Sequence, residues 1–485
     1  MSVAVESVPT SLFIGGEWVD PLEEQRFEVD NPADRSILAS VADGGVPDAR
    51  RAADAAGAAL PGWRALAPRQ RGEILRAVFE AMHERADQLA DLIVLENGKP
   101  RVEAVAEVHY AAEFFRWFSE EAVRLPGYLT TAPVTGRRIM ELSEPVGVAL
   151  LLAPWNLPAA MITRKIAPAL AAGCTVVIKP ASQTPLTALA LAQIMQECGV
   201  PAGVVNVITT TRDANVVSDL IAAGPVRALS FTGSTRVGRL LLRQASERVL
   251  RCSMELGGNA PFIVLEDADI ELAVENAMVA KMRHNAEACT AANRFLVHAD
   301  VKEQFTEAFA ASMSGLRVGD GMDPSTQLGP MASALARDGV AEKVDAAVSA
   351  GARVRTGGTA GDDRGYFYLP TVLDDVAADD PLLQQEIFGP VAPIVGFRTD
   401  AEALTLANAV DVGLGSYIHS RDLGRALRMA EGLEVGMVGI NTGLFSDPAA
   451  PFGGVKESGL GREGGRHGIG EFLETKYINV AWSEQ

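Results

Sequence analysis

Between residues 146 and 254, apolar runs of strand length alternate with stretches of helical period, and that alternation admits few folds. Residues 146–152, 175–178, 204–208, 228–231 and 249–254 read as strands, and 158–170, 185–198, 214–223 and 235–247 read as helices. Strands joined through helices are βαβ units, so a Rossmann-like parallel sheet covered by helices is expected. Upstream, an Ala-rich helix lies near residues 50–60, and residues 68–95 keep a helical period that stops at Asn97, Gly98, Lys99, Pro100. After Glu255 the alternation resumes, with 261–265 and 295–298 as strands and 270–282 and 301–316 as helices. A second α/β unit follows. Residues 127–144 lack helical period and carry β-prone Tyr128, Thr130, Thr131, Val134 and Ile139.

At 485 residues and 48% hydrophobic content, the chain is long enough for two or three domains with large cores. Its 43 basic against 62 acidic residues give a net charge of −19, which argues against nucleic acid and against anionic membranes as partners. An anionic substrate then needs a local cationic pocket. The first ten residues carry no secretory pattern, and the longest apolar run, 146–155, falls short of the roughly 20 residues a membrane span needs. Cys174, Cys198, Cys252 and Cys289 show no paired spacing, which fits a reducing cytoplasm. All six histidines are scattered and read as surface or helix-face residues, so no metal site is expected.

Two short runs carry the chemistry. Cys289 sits in Glu287, Ala288, Cys289, Thr290, Ala291, Ala292, Asn293, Arg294, a turn ahead of what reads as a short helical segment, with no histidine positioned as its base. Glu255 lies 34 residues upstream, followed by Leu256, Gly257 and Gly258. A nucleophile and a water activator are what covalent acyl transfer requires. The other three cysteines lie in apolar elements and read as inert. Phe231, Thr232, Gly233, Ser234 follow a strand and open a helix, so free amides can face a pyrophosphate, and Lys179 adds a cation at the end of a neighbouring strand. The run Gly459 to Gly464 matches GxGxxG letter by letter, but no strand precedes it and only 21 residues follow. It reads as a turn near the active site.

These runs, together with Pro154, Trp155, Asn156; Lys179, Pro180; Glu386, Ile387, Phe388, Gly389, Pro390; and Pro451, Phe452, Gly453, Gly454, resemble the aldehyde dehydrogenase superfamily in order and spacing from about Phe13 onward. Asn259 to Val264 and Asn441 to Leu444 are most similar to succinate-semialdehyde dehydrogenases. The resemblance implies a cofactor domain (8–123 with 143–254), a catalytic domain (255–457), and an oligomerisation arm with tail (124–142 with 458–485). In that arm the extended stretches 127–144 and 475–482 would pair across subunits, giving a dimer or tetramer. A plain surface hairpin is the alternative for the arm. It further implies Cys289 as nucleophile, Glu255 as water activator and Asn156 as oxyanion donor, with a helix N-cap as the alternative for Asn156. Trp155, Lys179, Ser182, Phe231, Gly233, Ser234, Glu386 and Phe388 would hold the dinucleotide. Serine at 182, where NAD-preferring relatives usually have glutamate, predicts NADP, with NAD also accepted. Arg164, Arg283, Ser446 and Phe452 would receive a short aldehyde ending in a carboxylate, ideally succinate semialdehyde. Alternatives are an amino-aldehyde or aromatic aldehyde, a cofactor-free thiol esterase, or a binding protein without turnover. Glu287, Ala286 and His284 depart from the family's glutamine, glycine and asparagine, and Glu287 is expected to raise the thiol's pKa.

Overall fold

The computed structural model describes residues 3–222 and 224–481. The expected ends of the 214–223 helix, at Ala223, and of the C-terminal strand, at Trp482, lie outside the described residues, as do Met1, Ser2 and the last three positions. An eight-stranded sheet runs in the order Glu17–Val19, Leu12–Ile14, Val205–Val207, Thr175–Lys179, Val148–Leu152, Val226–Thr232, Arg251–Glu255, Gly459–Leu460. Its five middle strands are parallel and its margins antiparallel. Every residue of Val148–Leu152 and Thr175–Lys179 is buried, because helices cover both faces. Leu151 and Ile178 enter the core shared with Ala160–Ala172 and Pro185–Glu197, while Leu150 and Val177 enter the core beneath Val46–Ala65 and Asp213–Ala222.

The single helical period over residues 68–95 hides a break. Two helices, Pro68–Glu84 and Ala86–Asn97, meet at Arg85 (φ −107°), and the second stops at left-handed Gly98 (φ 91°). The apolar pattern runs on through Arg85 because both pieces bury their faces in one core.

A second, seven-stranded sheet runs Arg353–Thr356, Thr371–Asp374, Val391–Phe397, Ala292–His298, Ala260–Val264, Gly415–His419, Met437–Ile440, parallel except for its first pair. The expected helices appear as Ile270–Met282 and Lys302–Ser314. Tyr128–Thr131, Arg137–Pro145 and Leu473–Ala481 form a third, antiparallel sheet, in register from Leu473 opposite Pro145 to Ala481 opposite Arg137. Among the described residues no helix is long and apolar enough to cross a membrane.

The site lies where the first two sheets meet. Pairing of Thr232 with Glu255 and of Leu152 with Lys179 brings those strand ends level at the carboxyl edge of the first sheet. Ligands of open parallel sheets bind at that edge. The second sheet delivers Cys289 to the same place, just ahead of Ala292–His298.

Candidate active site

The helix Ile270–Met282 ends in a turn whose His284, Asn285 and Ala286 all have left-handed backbones, at φ 54°, 58° and 61°. Three such residues without a glycine are costly, roughly 1–2 kcal/mol each, and persist only when anchored. His284 N donates to Glu103 at 2.7 Å, Gly329 N to Asn285 Oδ1 at 2.8 Å, and Asn285 Nδ2 to the Pro330 carbonyl at 3.0 Å. The turn presents Cys289, which keeps some solvent access. No helix follows it: Thr290 and Ala291 turn directly into the strand Ala292–His298, so the expected stabilisation of a thiolate by a helix start is absent. Burial pushes the Cys289 thiol up to about 12; Arg164 pulls it back, and Glu386, Glu255 and Glu463 push it further. Glu287 turns away instead. Its Oε1 accepts from Ala332 N at 3.2 Å, and burial holds its own carboxyl well above the usual range.

Two cavities meet at Cys289. The first is walled by Arg164, Arg283, Ser446 and Phe452 together with Tyr110 and Tyr417. The second, the roomier of the two, is walled by Trp155, Asn156, Gly233, Ser234, Glu386 and Phe388. Arg164 is buried, its guanidinium 4.0 Å from the centre of the Phe452 ring, 2.5 Å from the Tyr110 hydroxyl and 3.5 Å from Glu463.

The second cavity suits a dinucleotide. Ser234 caps Thr235–Ser246, whose amino end opens on the cavity, and the buried hydroxyl of Thr232 on the same wall has no hydrogen-bond partner. A Cβ on Gly233 would stand 2.5 Å from the Phe231 ring beneath it, so the turn needs glycine there. Glu386 Oε1 accepts from Gly258 N at 3.2 Å; burial raises this carboxyl to about 7, against the pull of Lys343 and Lys281. Phe388 meets Trp155 edge-on, centroids 5.4 Å apart. Lys179 and Ser182 are not on this wall. Lys179 Nζ is held by Asp213 at 2.8 Å, and the half-buried Ser182 hydroxyl lies 3.4 Å from Gln183.

Asn156 is no helix cap. The adjoining helix is capped at Ala159, and Glu107 Oε1 takes up the amides of Ala159 and Ala160 at 2.9 and 3.3 Å. Asn156 Nδ2 donates one hydrogen to the Glu287 carbonyl at 2.8 Å and keeps a second for the cavity. Glu255 is buried, and among the described residues neither of its carboxylate oxygens has a hydrogen-bond partner. Burial, then the charge of Glu463, hold it well above the usual carboxylate range, while Lys165, Arg164 and Arg462 pull it down. The GxGxxG run supplies part of the surroundings: Gly459 pairs with Glu255, and a Cβ there would overlap the Met254 carbonyl at 1.8 Å. Close backbone approach explains those glycines.

Sequence reasoning passed over several residues. Lys165 Nζ contacts Glu463 at 2.6 Å and Ser230 at 3.0 Å, all buried behind Glu255. A lysine inside the otherwise apolar run Ala160–Ala172 was the available signal, since such a charge is rarely buried unpaired. Lys281 raises the same flag in Ile270–Met282. His284, His298 and His419 are buried rather than superficial, and His284 lines the first cavity beside Cys289. It is no free base, since Nε2 lies 3.1 Å from Arg283 and Nδ1 3.4 Å from Lys99. Of the remaining cysteines Cys174 is buried, while Cys198 and Cys252 are half-buried; burial raises all three thiols.

Fold and site together define an α/β enzyme whose cysteine lies between two cavities, one lined by Arg164 and Arg283 and the other by a helix amino end. The chain belongs to the aldehyde dehydrogenase family, whose model matches residues 18–478. It is 54% identical to a succinate-semialdehyde dehydrogenase of Paenarthrobacter nicotinovorans over 92% of this chain and 99% of that one. It is 46% identical to a glutarate-semialdehyde dehydrogenase of Pseudomonas putida over 97% of each. The crystal structure of an Escherichia coli NADP-dependent enzyme superposes with a TM-score of 0.96 at 46% identity, covering 98% of each chain.

Proposed function

We propose that this enzyme oxidises a short aldehyde carrying a distal carboxylate to the free acid, succinate semialdehyde foremost, with NADP as cofactor and NAD also accepted. The observation that carries the reading is the position of Cys289 at the junction of the two cavities. Arg164 and Arg283 offer cationic donors in the first, a requirement in a chain whose net charge is −19. Glu255, without a partner among the described residues, is suited in its carboxylate form to accept the Cys289 proton, to pass it to solvent, and then to accept a proton from water. The Cys289 sulfur then bonds to the aldehyde carbon, and the spare Asn156 hydrogen faces the resulting oxyanion. The chemistry a bound nicotinamide supplies is hydride acceptance, which converts the Cys289 adduct to a thioester. Glu255 activates water against that thioester, releasing acid and free thiol. Trp155, Gly233, Ser234, Glu386 and Phe388 would cradle the nucleotide with Phe231 packed under Gly233, and Lys179 with Ser182, which lie off that wall, would meet a 2′-phosphate once Lys179 leaves Asp213.

Names of the relatives support both succinate and glutarate semialdehydes, and the NADP-dependent structural neighbour supports the cofactor. Unpaired cysteines support a reducing cytoplasm, and the exposed three-stranded arm supports a homodimer or homotetramer. The test combines the protein with succinate semialdehyde, glutarate semialdehyde or hexanal and with NAD or NADP, following reduced nicotinamide absorbance. Carboxylate-bearing aldehydes are expected to lead by at least about tenfold in kcat/KM. Hexanal as the best substrate, or turnover retained in Cys289→Ala, defeats the reading.

A further inference from the structure

Arg283 forms no ion pair among the described residues, whereas Arg164, its companion on the cavity wall, lies 3.5 Å from Glu463. Among the described residues the Arg283 guanidinium hydrogen-bonds its neighbour alone: Nη2 lies 3.1 Å from His284 Nε2. Glu103, the carboxylate whose charge reaches Arg283, is already engaged by His284 N at 2.7 Å. On the other side of the imidazole stands Lys99, its Nζ 3.4 Å from Nδ1 but already held by Glu107 and by the Asn156 carbonyl at 2.8 Å. Flanked by two cations and buried, the ring stays neutral and so retains one nitrogen lone pair. The shorter contact, 3.1 Å from Arg283 against 3.4 Å from Lys99, gives that lone pair to Arg283.

The ring is wedged between the two cations, with Nδ1 3.4 Å from Lys99 Nζ and Nε2 3.1 Å from Arg283 Nη2, on the wall of the Cys289 cavity.

We propose that His284 is the positioning residue for Arg283: its Nε2 accepts from the guanidinium and holds it on the Cys289 cavity, so that preference for aldehydes with a distal carboxylate depends on His284. The proposal rests on the carboxylate-aldehyde reading above. It predicts a residue that sets substrate selectivity without touching the reacting atoms.

The test compares the full-length enzyme with His284→Asn and His284→Gln, using succinate semialdehyde and butanal, an uncharged aldehyde of equal carbon number, at saturating NADP. His284→Asn suits the left-handed backbone but falls short of Arg283. It is expected to lower kcat/KM for succinate semialdehyde about tenfold more than kcat/KM for butanal, the worth of one charge-assisted hydrogen bond, with the difference carried by KM. His284→Gln, whose carbonyl oxygen reaches further, is expected to keep the carboxylate preference within about threefold of wild type. Unaltered selectivity in His284→Asn overturns the proposal, as does a parallel fall for both aldehydes, which marks a purely structural role. Should His284→Asn not fold, loss of the preference in folded His284→Gln overturns it equally. A wild type indifferent to the carboxylate defeats the underlying substrate reading instead, and is recognised before any variant is made.

Discussion

With its pKa near 12, the Cys289 thiol carries its proton at neutral pH, and Glu255 beside it is also held well above the usual carboxylate range. Both work deprotonated, so kcat/KM is expected to rise with pH across the neutral and alkaline range. Glu463 is one of the charges that lift both groups. Glu463→Gln removes that charge and leaves the Lys165 ammonium uncompensated, so the rising limb moves to lower pH. A pH–rate profile at saturating cofactor measures this, and an unmoved limb removes Glu463 from the electrostatics of the site. Lys281 poses the opposite case: buried, with no partner for Nζ, it is lowered from 10.5 to about 7, mainly by burial and partly offset by Glu386. Between those values the folded state binds fewer protons than the unfolded one, so stability gained from this group rises with pH through that window. Lys281→Met removes the penalty. Stability is expected to increase by about 1–3 kcal/mol at pH 7, read as a higher Tm, with the gain fading by pH 10.5.

At the scale of elements, the strand-to-helix turn through Gly233 gives a test of the cofactor cradle. A Cβ there meets the Phe231 ring at 2.5 Å, so either the ring or the turn that lines the cavity must shift. Gly233→Ala is expected to cost about 1–3 kcal/mol and to raise KM for NADP, with the rise in Tm on adding NADP reduced from the wild-type value. An undiminished NADP-induced rise shows that this turn does not carry the nucleotide. The strands here were legible because Val148–Leu152 and Thr175–Lys179 are buried on both faces and read as unbroken apolar runs. The break at Arg85 was not, since the apolar stripe passes through it. The course of the chain into Cys289 was beyond reach for a different reason: the left-handed turn is fixed by Glu103, 181 residues before His284, and by Pro330, 45 residues after Asn285. Local sequence predicts neither anchor. The N-cap alternative for Asn156 fails likewise because Glu107 performs the capping from another helix.

At the scale of the whole molecule, the third sheet is out of proportion to a single chain. Leu473–Ala481 pairs along its length with Arg137–Pro145 yet leaves its outer edge open, and it is exposed from Glu474 to Asn479, so both faces meet solvent. Tyr128, Leu129 and Tyr477 are exposed by 58, 67 and 60%, with Leu142 and Ile478 nearby on paired strands. A nine-residue open edge beside such apolar side chains invites association, because unpaired amides and carbonyls template another strand and the apolar surface favours burial. The family resemblance joins residues 127–144 and 475–482 as one arm whose strands pair across subunits, with a plain surface hairpin as the alternative; the register from Leu473 with Pro145 onward pairs the two segments within one chain. A closed symmetric assembly satisfies such a surface twice over for each interface. Wild-type protein is expected to sediment at twice or four times the chain mass. Leu129→Asp with Tyr477→Asp puts two charges into that contact and is expected to yield smaller species by analytical ultracentrifugation, while single-turnover reduction of NADP persists because both substitutions lie outside the cavities. An unchanged sedimentation coefficient would mean that the arm is a surface ornament of one subunit, and that the assembly, if any, is built on another face.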